Sequence, residues 1–475
     1  MKWFEENNDR FWIGLLVVAV LLNLFAIHNS DLGLDVHVKS AYVETDDGYV
    51  LDWGDTRQSD PNASDPEQAT VIDSPPAILP PIVSLILLIL VFLLLSRHNN
   101  NIPIIGIILL HPTLIFSSGK SYDELMILSI FGAGVLLLNN AYTRSENSNV
   151  ALSSKLVAYA VMIGAIMFKL NFDSWLELFV IGIAIATIIS IYIPKLELNP
   201  RYILVGSFSL GMITIIGLGV VGYGTSKIIV DEPIRFLYSL PFAMFDLIII
   251  YAIFGMILWP YVSSTWRKMG DVKDDLTCEL SLIVGGIAGL ITAYVAVLWT
   301  YESVLWDSEW PWHMLTMGNN GRYITLLAIP LWILINRVNG EIDWKNKKLF
   351  IGILLIMPFS LLAGFHGQTM WTDDAADSME LEEGEHFLFV SDATLGMHWL
   401  YTFHEPLNAE ENNITGHWRS DQSSWIGDLD GELSHIDWIV LSPEIDDVPD
   451  GWEVKGSGTA DYLNGGGTWR ILVRL

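Results

Sequence analysis

The chain has 475 residues, of which 52% are hydrophobic, and 25 basic against 54 acidic side chains give it a formal net charge of −29. Its mean hydropathy of +0.42 excludes an ordinary soluble protein of this size, and the acidic balance argues against binding to nucleic acid. The single cysteine, Cys278, excludes a disulfide framework and a zinc site built from cysteines.

Apolar blocks long enough to cross about 30 Å of hydrocarbon as helices recur along the chain. They predict an α-helical polytopic membrane protein with about eleven transmembrane helices. The predicted spans are 11–27, 78–96, 102–116, 125–139, 156–170, 174–193, 202–222, 237–261, 279–299, 324–336 and 349–365. Lys2 and Arg10 precede the first span, which fits an uncleaved signal-anchor. Several spans are short or contain proline, so the count is uncertain by one or two.

The basic residues of the short loops favour one orientation in the membrane. With a cytoplasmic N-terminus, the cytoplasmic loops hold Arg97, Arg144, Lys155, Lys195, Arg201, Arg267, Lys268, Lys273, Arg337, Lys345, Lys347 and Lys348. The opposite side holds fewer, namely Lys120, Lys169, Lys227, Arg235 and Arg322. This bias predicts a multi-pass protein of the cell membrane whose C-terminal segment is extracytoplasmic.

Two acidic segments lie on the predicted outer side. Residues 29–77 form a long first outer loop with 11 acidic and 2 basic side chains, and residues 367–475 have 22 against 4. We therefore predict a transmembrane domain, 1–366, and a soluble acidic domain, 367–475. Alternating residues in 386–391, 435–442 and 469–473 indicate strands, and 396–404 a short helix. The second domain is predicted to be a small α/β domain. Exposure without disulfides is typical of archaeal or bacterial proteins.

Just after the first span, Asp35 and His37 form the first candidate site. A carboxylate where membrane meets water can act as a general base on an incoming hydroxyl. The alternative is that Asp35 is one solvated acid among the others of this loop. Asp46-Asp47 and Asp373-Asp374 resemble metal-binding pairs only in composition, and exposed surface acid is the better explanation for both pairs.

A second polar group joins two predicted helices. It contains His111, Lys120, Tyr122, Asp123 and Glu124. Asp123 and Glu124 would lie in the first turn of the following helix, where carboxylates favour the helix dipole. That capping role is one interpretation. The other is a binding site, because a mere connection does not need so many polar side chains.

A third group precedes a late span. Arg322 and Tyr323 open that span on the predicted outer side, and an arginine there can hold a phosphate by paired hydrogen bonds. The preceding aromatic run, Trp306 to His313, can be an interfacial belt instead. Lys227 and Arg235, in another outer loop, fit an ordinary ion-paired loop as well as a binding element.

Together these features resemble the GT-C glycosyltransferases, and within that group the protein mannosyltransferases and the bacterial lipid A aminoarabinose transferases. The resemblance rests on a cytoplasmic first helix, a long outer loop with an early Asp35, the outer segment Ser118-Gly-Lys120-Ser-Tyr122-Asp123-Glu124, and the late Gly321-Arg322-Tyr323. It covers the whole chain as architecture but only three short motifs as residues. It implies a polyprenyl-phosphate-linked sugar as donor and a glycan, lipid or protein as acceptor.

The resemblance assigns roles residue by residue. Asp35 corresponds to the general base of the first loop, Asp123 or Glu124 to the acid of the second, and Arg322 with Lys120 to the cations that bind phosphate. Transfer would be a single inverting displacement, in which the leaving phosphate needs no protonation and no metal cofactor is required. A divalent metal at Asp35 and His37 is left open. His37, His111, Tyr122 and Tyr323 are predicted to bind substrate.

Two departures narrow the comparison. The mannosyltransferases carry an adjacent Asp-Glu pair in the first loop, whereas this chain has Asp35-Val36-His37. The oligosaccharyltransferase signature W-W-D-Y-G is absent, so transfer of a single sugar is favoured over transfer of a whole glycan. The alternatives are a membrane transporter and a non-catalytic scaffold that displays the C-terminal domain.

Overall fold

The structure is a computed structural model of the whole chain. It describes residues 8–45, 48–51, 53–54, 80–96, 101–144, 148–170, 175–192, 197–272, 274–305, 320–367, 369–392, 396–420, 425–460 and 466–475. These residues divide into two compact units. The membrane unit is Met1–His28 with Leu79–Phe365, and the soluble unit is Asn29–Ile78 with His366–Leu475. The long first loop, which the sequence analysis grouped with the transmembrane domain, is thus part of the same unit as the C-terminal segment.

Helices make up most of the chain. In order they are α1 (Asn8–Asn29), α2 (Leu34–Ser40), α3 (Pro81–Leu95), α4 (Asn101–Leu109), α5 (Pro112–Gly119), α6 (Glu124–Arg144), α7 (Ser148–Leu170), α8 (Trp175–Tyr192), α9 (Pro200–Val220), α10 (Ile228–Asp231), α11 (Pro233–Lys268), α12 (Asp275–Leu305), α13 (Ala328–Asn339), α14 (Lys347–Phe365), α15 (Trp371–Ser378), α16 (Gly396–Leu400) and α17 (Trp425–Asp428). Short 3-10 helices precede α10 at Gly224–Lys227 and α13 at Asn320–Leu327.

The prediction of a helical membrane protein is confirmed. Among the described residues, eight helices are long and apolar enough to cross a membrane, and they lie at Asn8–Asn29, Glu124–Thr143, Ala151–Lys169, Pro200–Val220, Pro233–Asp271, Asp275–Tyr301, Gly321–Asn339 and Lys347–Phe365. The pair α4 and α5, bent by 62°, passes the same test together, and α3 and Phe179–Tyr192 are shorter apolar helices. Each of these segments overlaps a predicted span. The count of eleven stays a prediction.

Proline shapes several of these helices. His111 separates α4 from α5, and Pro112 sits at the first position of α5, where its missing N–H leaves no helix bond unmade. Pro241 and Pro260 lie inside α11, and Pro358 inside α14. In lipid, neighbouring helices and side chains can satisfy the carbonyls that such prolines free. The prolines are therefore compatible with membrane-spanning helices in these segments.

The soluble unit is built on a sheet near the C-terminus, as predicted. Its strands are β3 (His386–Val390), β4 (Thr415–Arg419), β5 (Trp438–Leu441), β6 (Trp452–Thr459) and β7 (Thr468–Arg474), in the order β4-β3-β5-β7-β6. Strand β3 pairs in parallel with β4 and β5, whereas β7 is antiparallel to β5 and β6. Earlier in the chain, β1 (Val43–Thr45) and β2 (Gly48–Val50) form a small hairpin.

Both faces of the sheet are covered. Phe387 and Phe389 of β3 pack in one core with Trp371 of α15, while Leu388 and Val390 pack in another with Trp425 of α17. A parallel strand buried on both faces reads as a run of apolar residues, which β3 and β5 show. The first core also includes Trp53, whose Nε1 donates to the carbonyl of Ile414 at 2.7 Å.

Candidate functional site

A tight turn joins α5 to α6 and positions the second polar group. Ser121 has a φ of +56°. The N–H of Tyr122 donates to the carbonyl of Ser117 at 2.9 Å, and the N–H of Ser121 to that of Ser118 at 3.3 Å. This pair of bonds is a Schellman motif, which ends a helix with one left-handed residue. Only four residues, 120–123, separate α5 from α6, so Glu124 begins α6 directly after the turn.

Arg322 lies on the 3-10 helix that leads into α13. Its carbonyl accepts a hydrogen bond from Thr325 Oγ1 at 2.7 Å, and the whole residue is only 3% exposed. The span that includes it begins at Gly321. Arg322 is therefore in the first turn of a membrane segment, as the sequence indicated, but it is buried in protein instead of facing lipid headgroups.

Glu124, Lys169 and Arg322 form a buried ionic cluster. Arg322 Nε donates to Glu124 Oε1 at 2.8 Å, and Lys169 Nζ lies 3.2 Å from the same oxygen. Lys169, at the end of α7, also pairs with Asp123. Breaking such a buried pair leaves an uncompensated charge and costs roughly 3–5 kcal/mol. Glu124 in the first turn of α6 and Asp123 directly before that helix fit the dipole interpretation, and the same carboxylates also hold two cations.

Two tyrosine rings flank the cations. The guanidinium carbon of Arg322 lies 4.5 Å from the ring centroid of Tyr122 and 5.0 Å from that of Tyr323. Lys169 Nζ lies 4.9 Å from the Tyr323 ring. A cation over an aromatic face is attracted by the ring quadrupole, and more strongly where water is excluded. Of the sequence-predicted residues, Tyr122, Asp123, Glu124, Arg322 and Tyr323 are thus brought together.

Asp246 lies next to this cluster. It is a buried residue of α11, and the backbone N–H of Gly321 hydrogen-bonds to its carboxylate. A Cβ at position 321 would lie 2.5 Å from Asp246 Oδ2, so only glycine fits there without displacing the carboxylate. Among the residues that the structure describes, Asp246 Oδ2 has no hydrogen-bond partner. Asp246 lies inside the predicted span 237–261, and no role was predicted for it.

An apolar groove of about 690 Å³ adjoins the cluster. Its walls come from α9, α11, α12 and the 3-10 helix, with Phe208, Tyr251, Trp259, Ala288, Ile324 and Leu327 among the lining residues. Ile324 and Leu327 belong to the same 3-10 helix as Arg322, so this helix separates the groove from the ionic cluster. On the other side of the 3-10 helix, a cavity of about 50 Å³ is lined by Glu124, Lys169 and Tyr323. The second cavity has room for water but not for a sugar.

His111 and Lys120 complete the predicted residues of the membrane unit. His111 is buried at the bend between α4 and α5, and a small cavity of about 10 Å³ joins it to Tyr251 and Ile324, which also line the groove. Lys120 follows α5 as its C-cap and is 3% exposed. Both are buried polar residues of the membrane unit, and burying such groups is costly and typical of functional positions.

Asp35 and His37 belong to the soluble unit. Asp35 is in the first turn of α2 with its side chain 51% exposed, and its Oδ1 lies 3.8 Å from His398 Nδ1 of α16. Burial lowers the pKa of His398, while the Asp35 carboxylate opposes that shift. An imidazole next to a carboxylate is a pair that can accept and hold a proton. His37 is buried in the same helix. No local sequence pattern predicts that His398 lies beside Asp35, because the two residues are far apart in the chain.

A further buried carboxylate ties helices at the opposite ends of α6 and α7. Glu279 of α12 accepts hydrogen bonds from Lys155 at 3.0 Å, from Ser190 at 2.6 Å and from Tyr142 on Oε1, and from Tyr159 at 3.0 Å on Oε2. Donors occupy both oxygens, as a buried charge requires. This cluster joins α6, α7, α8 and α12. Its partners lie far apart in sequence, so no local pattern revealed it.

The helices and buried clusters define a multi-pass membrane protein with a mixed α/β soluble unit. No family model matches the chain, and neither a comparison with curated proteins nor one with solved structures found a match. The aromatic run from Trp306 to His313 and the pair Asp46-Asp47 lie outside the described residues.

Proposed function

We propose that the chain is a GT-C-like glycosyltransferase, which moves one sugar from a polyprenyl-phosphate donor to an acceptor on the outer face of the cell membrane. The observation that supports this most is the buried cation pair Arg322 and Lys169 beside the 3-10 helix whose Ile324 and Leu327 line an apolar groove. A polyprenyl-phosphate sugar needs both features, a surface for its isoprenoid chain and cations for its phosphate. Such a donor is the lipid chemistry that fits the arrangement best.

The cluster suggests how the phosphate is bound. Arg322 Nε donates a hydrogen bond to Glu124, and Nη2 donates one to the Tyr323 hydroxyl at 3.5 Å. A phosphate would bind the guanidinium alongside these partners, because its planar fork matches two phosphate oxygens. Lys169 would add a second positive charge, and Tyr122 and Tyr323 hold the guanidinium plane between them. In this proposal Glu124 and Asp123 are positioning residues that orient the cations. Lys120 and His111 would contact the donor from α5.

The proposed chemistry is an inverting displacement. The acceptor oxygen forms a bond to the anomeric carbon while the bond from that carbon to the phosphate oxygen breaks. The departing polyprenyl phosphate carries its electron pair as negative charge, which Arg322 and Lys169 stabilise. Asp35 is the proposed general base that takes the proton of the acceptor hydroxyl, with His398 beside it. The proposed acceptor is a glycan, a lipid or a protein. In the proposed orientation the N-terminus of the chain is cytoplasmic.

Binding of the donor tests the proposal. The full-length protein in lipid nanodiscs is titrated with a long-chain polyprenyl-phosphate hexose and with a short-chain analogue. Arg322→Lys and Arg322→Ala should both weaken binding of the two lipids at least about tenfold, because charged hydrogen bonds contribute roughly 1.5–3 kcal/mol. Lys227→Ala is the matched control, since Lys227 is a 65% exposed cation of the same membrane unit. Wild-type affinity in both Arg322 variants would remove Arg322 from the donor site.

The groove has its own test. Gly255 lines it, and a Cβ there meets no atom within 4 Å, so Gly255→Trp should fill the groove without disturbing α11. It should weaken binding of the long-chain donor and spare the short-chain analogue. Gly206→Trp on α9 is the control, since position 206 is equally open and does not line the groove.

Asp35→Asn should keep donor affinity and lose transfer, measured as release of polyprenyl phosphate.

A transporter is the second candidate, and the buried charges favour it. Asp246 and Glu279 lie inside membrane helices, where ionisable groups often line transport pathways. A transporter would move an anionic solute through the bilayer without consuming the lipid-linked sugar. Uptake of free sugars or ions into proteoliposomes would support the transporter. It would do so against the transferase if no donor released polyprenyl phosphate.

A further inference from the structure

Three histidines of the soluble unit meet on one side of the sheet, and none of them is among the residues proposed for sugar transfer. His386 begins β3, His417 is in β4, and His435 precedes β5. One ligand atom of each lies within 4.8 Å of those of the other two. His386 and Leu388 share a face of β3 by strand alternation, and Leu388 is paired with His417 across the ladder. The parallel pairing therefore brings His386 and His417 together.

The ring geometry is close to that of a ligand set. His386 Nδ1 and His417 Nε2 are 3.0 Å apart, and the His435 ring stands edge-on to both, with centroids 4.9 and 5.7 Å away. Two nitrogens bound at about 2.0–2.1 Å to a tetrahedral zinc ion are roughly 3.3 Å apart. His386 and His417 already have nearly that spacing. His435 is exposed and lies in a turn, so its side chain can rotate toward them.

The chemistry of the three side chains selects the kind of ion. Imidazole nitrogen suits zinc and its neighbours in the first transition row, whereas magnesium and calcium prefer oxygen. One proton now lies in the bond between His386 and His417, so one of these rings would change tautomer on binding.

We propose that His386, His417 and His435 bind a transition-metal ion of the zinc type, with a fourth position open to solvent next to the exposed His435. The ion would tie the start of β3 to β4 and to the segment before β5. The three histidines lie 31 and 18 positions apart in sequence. This site is independent of the proposed sugar transfer, because none of its residues takes part in donor or acceptor binding. It would place a metal ion at residues for which the sequence analysis predicted no metal site.

Cobalt and zinc are the probes of this site. The full-length protein, purified without a polyhistidine tag and stripped with a chelator, is titrated with Co²⁺ in excess Mg²⁺, which occupies surface carboxylates. We expect one equivalent of Co²⁺ to give visible ligand-field bands of a four-coordinate site, and Zn²⁺ to displace it. His435→Ala should weaken binding more than the roughly 10–100-fold that losing an outer partner costs. It should also abolish the rise in melting temperature caused by Zn²⁺.

Ser434→Ala is the matched control, being the exposed neighbour of His435 outside the ligand set. It should bind both ions like the wild type. His435 is exposed, so its loss should leave the fold intact, and circular dichroism of the variant checks this. The proposal is overturned if the wild type gives no ligand-field bands, or if His435→Ala binds Co²⁺ and Zn²⁺ with unchanged affinity.

Discussion

Asp373 is a residue of the soluble unit whose carboxyl group has a raised pKa. It lies in the first turn of α15, where burial and the nearby Asp31, Asp374, Asp377 and Glu405 raise its pKa to about 6. The folded protein thus binds this proton more tightly than the unfolded chain, whose Asp pKa is about 3.9. The resulting stability is complete below about pH 4 and is lost as the pH rises through 6.

Asp373→Asn should therefore stabilise the soluble unit at pH 8 and have little effect at pH 4. The shift of about two pH units corresponds to at most about 2.7 kcal/mol, and solvent screening of a half-exposed side chain reduces this to about 1 kcal/mol. Loss of a favourable first-turn charge offsets a few tenths of it. Thermal unfolding of both proteins at the two pH values measures the difference. High salt should shrink it.

The control is Asp450→Asn, which removes an exposed carboxylate that is not among those around Asp373. It should change the melting temperature little at either pH. Equal rises in melting temperature for both variants at pH 8 would mean that the overall charge, and not the local environment of Asp373, limits stability.

At the scale of elements, the turn between α5 and α6 decides where the ionic cluster forms. Ser121 occupies the left-handed position of its Schellman motif, which glycine usually fills, and Gly222 fills the same position after α9 with a φ of +75°. A side chain in this conformation costs roughly 1 kcal/mol. Ser121→Gly should raise the free energy of unfolding by about 0.5–1 kcal/mol, and Ser121→Val should lower it and displace Glu124.

Gly222→Ala is the reciprocal control. A Cβ at position 222 meets no atom within 4 Å, so any loss there reports backbone conformation alone, about 1 kcal/mol. Thermal unfolding in one detergent compares the three variants. Destabilisation by Ser121→Gly as large as that by Gly222→Ala would show that residue 121 does not require the left-handed conformation.

Elements with a strong local pattern could be predicted, and those held by distant partners could not. Apolar runs indicated the membrane helices, and alternation indicated β3, β5 and β7. Strand β4 was missed because it ends in His417, Trp418 and Arg419, polar and aromatic residues that are nevertheless buried. Arg322 was identified, but its partner Glu124 is 198 residues away and Lys169 lies 45 residues from Glu124. No local pattern contains such pairings.

For the whole molecule, the charge bias predicts that residues 29–77 and 367–475 lie on the same, outer side of the membrane. Cys278 is the single cysteine, so a Cys278→Ala background has none. On intact cells, Asp60→Cys and Asp430→Cys should both react with a membrane-impermeant maleimide. Lys345→Cys, in a predicted cytoplasmic loop, should react only after permeabilisation. Labelling from outside at position 60 but not at 430 would contradict the topology.

The hydrogen bond from Trp53 to Ile414 joins residues 361 positions apart. A ribosome that adds about 5–20 residues per second needs roughly 20–70 s between making one and the other. Throughout that interval the indole of Trp53 has neither its carbonyl acceptor nor its later ring neighbours, Tyr401 and His404. The first outer loop, 29–77, therefore cannot form these contacts until the membrane helices that follow it have been synthesised. Cells depleted of the chaperones that shield such unfinished segments should accumulate this protein with the loop cleaved by proteases.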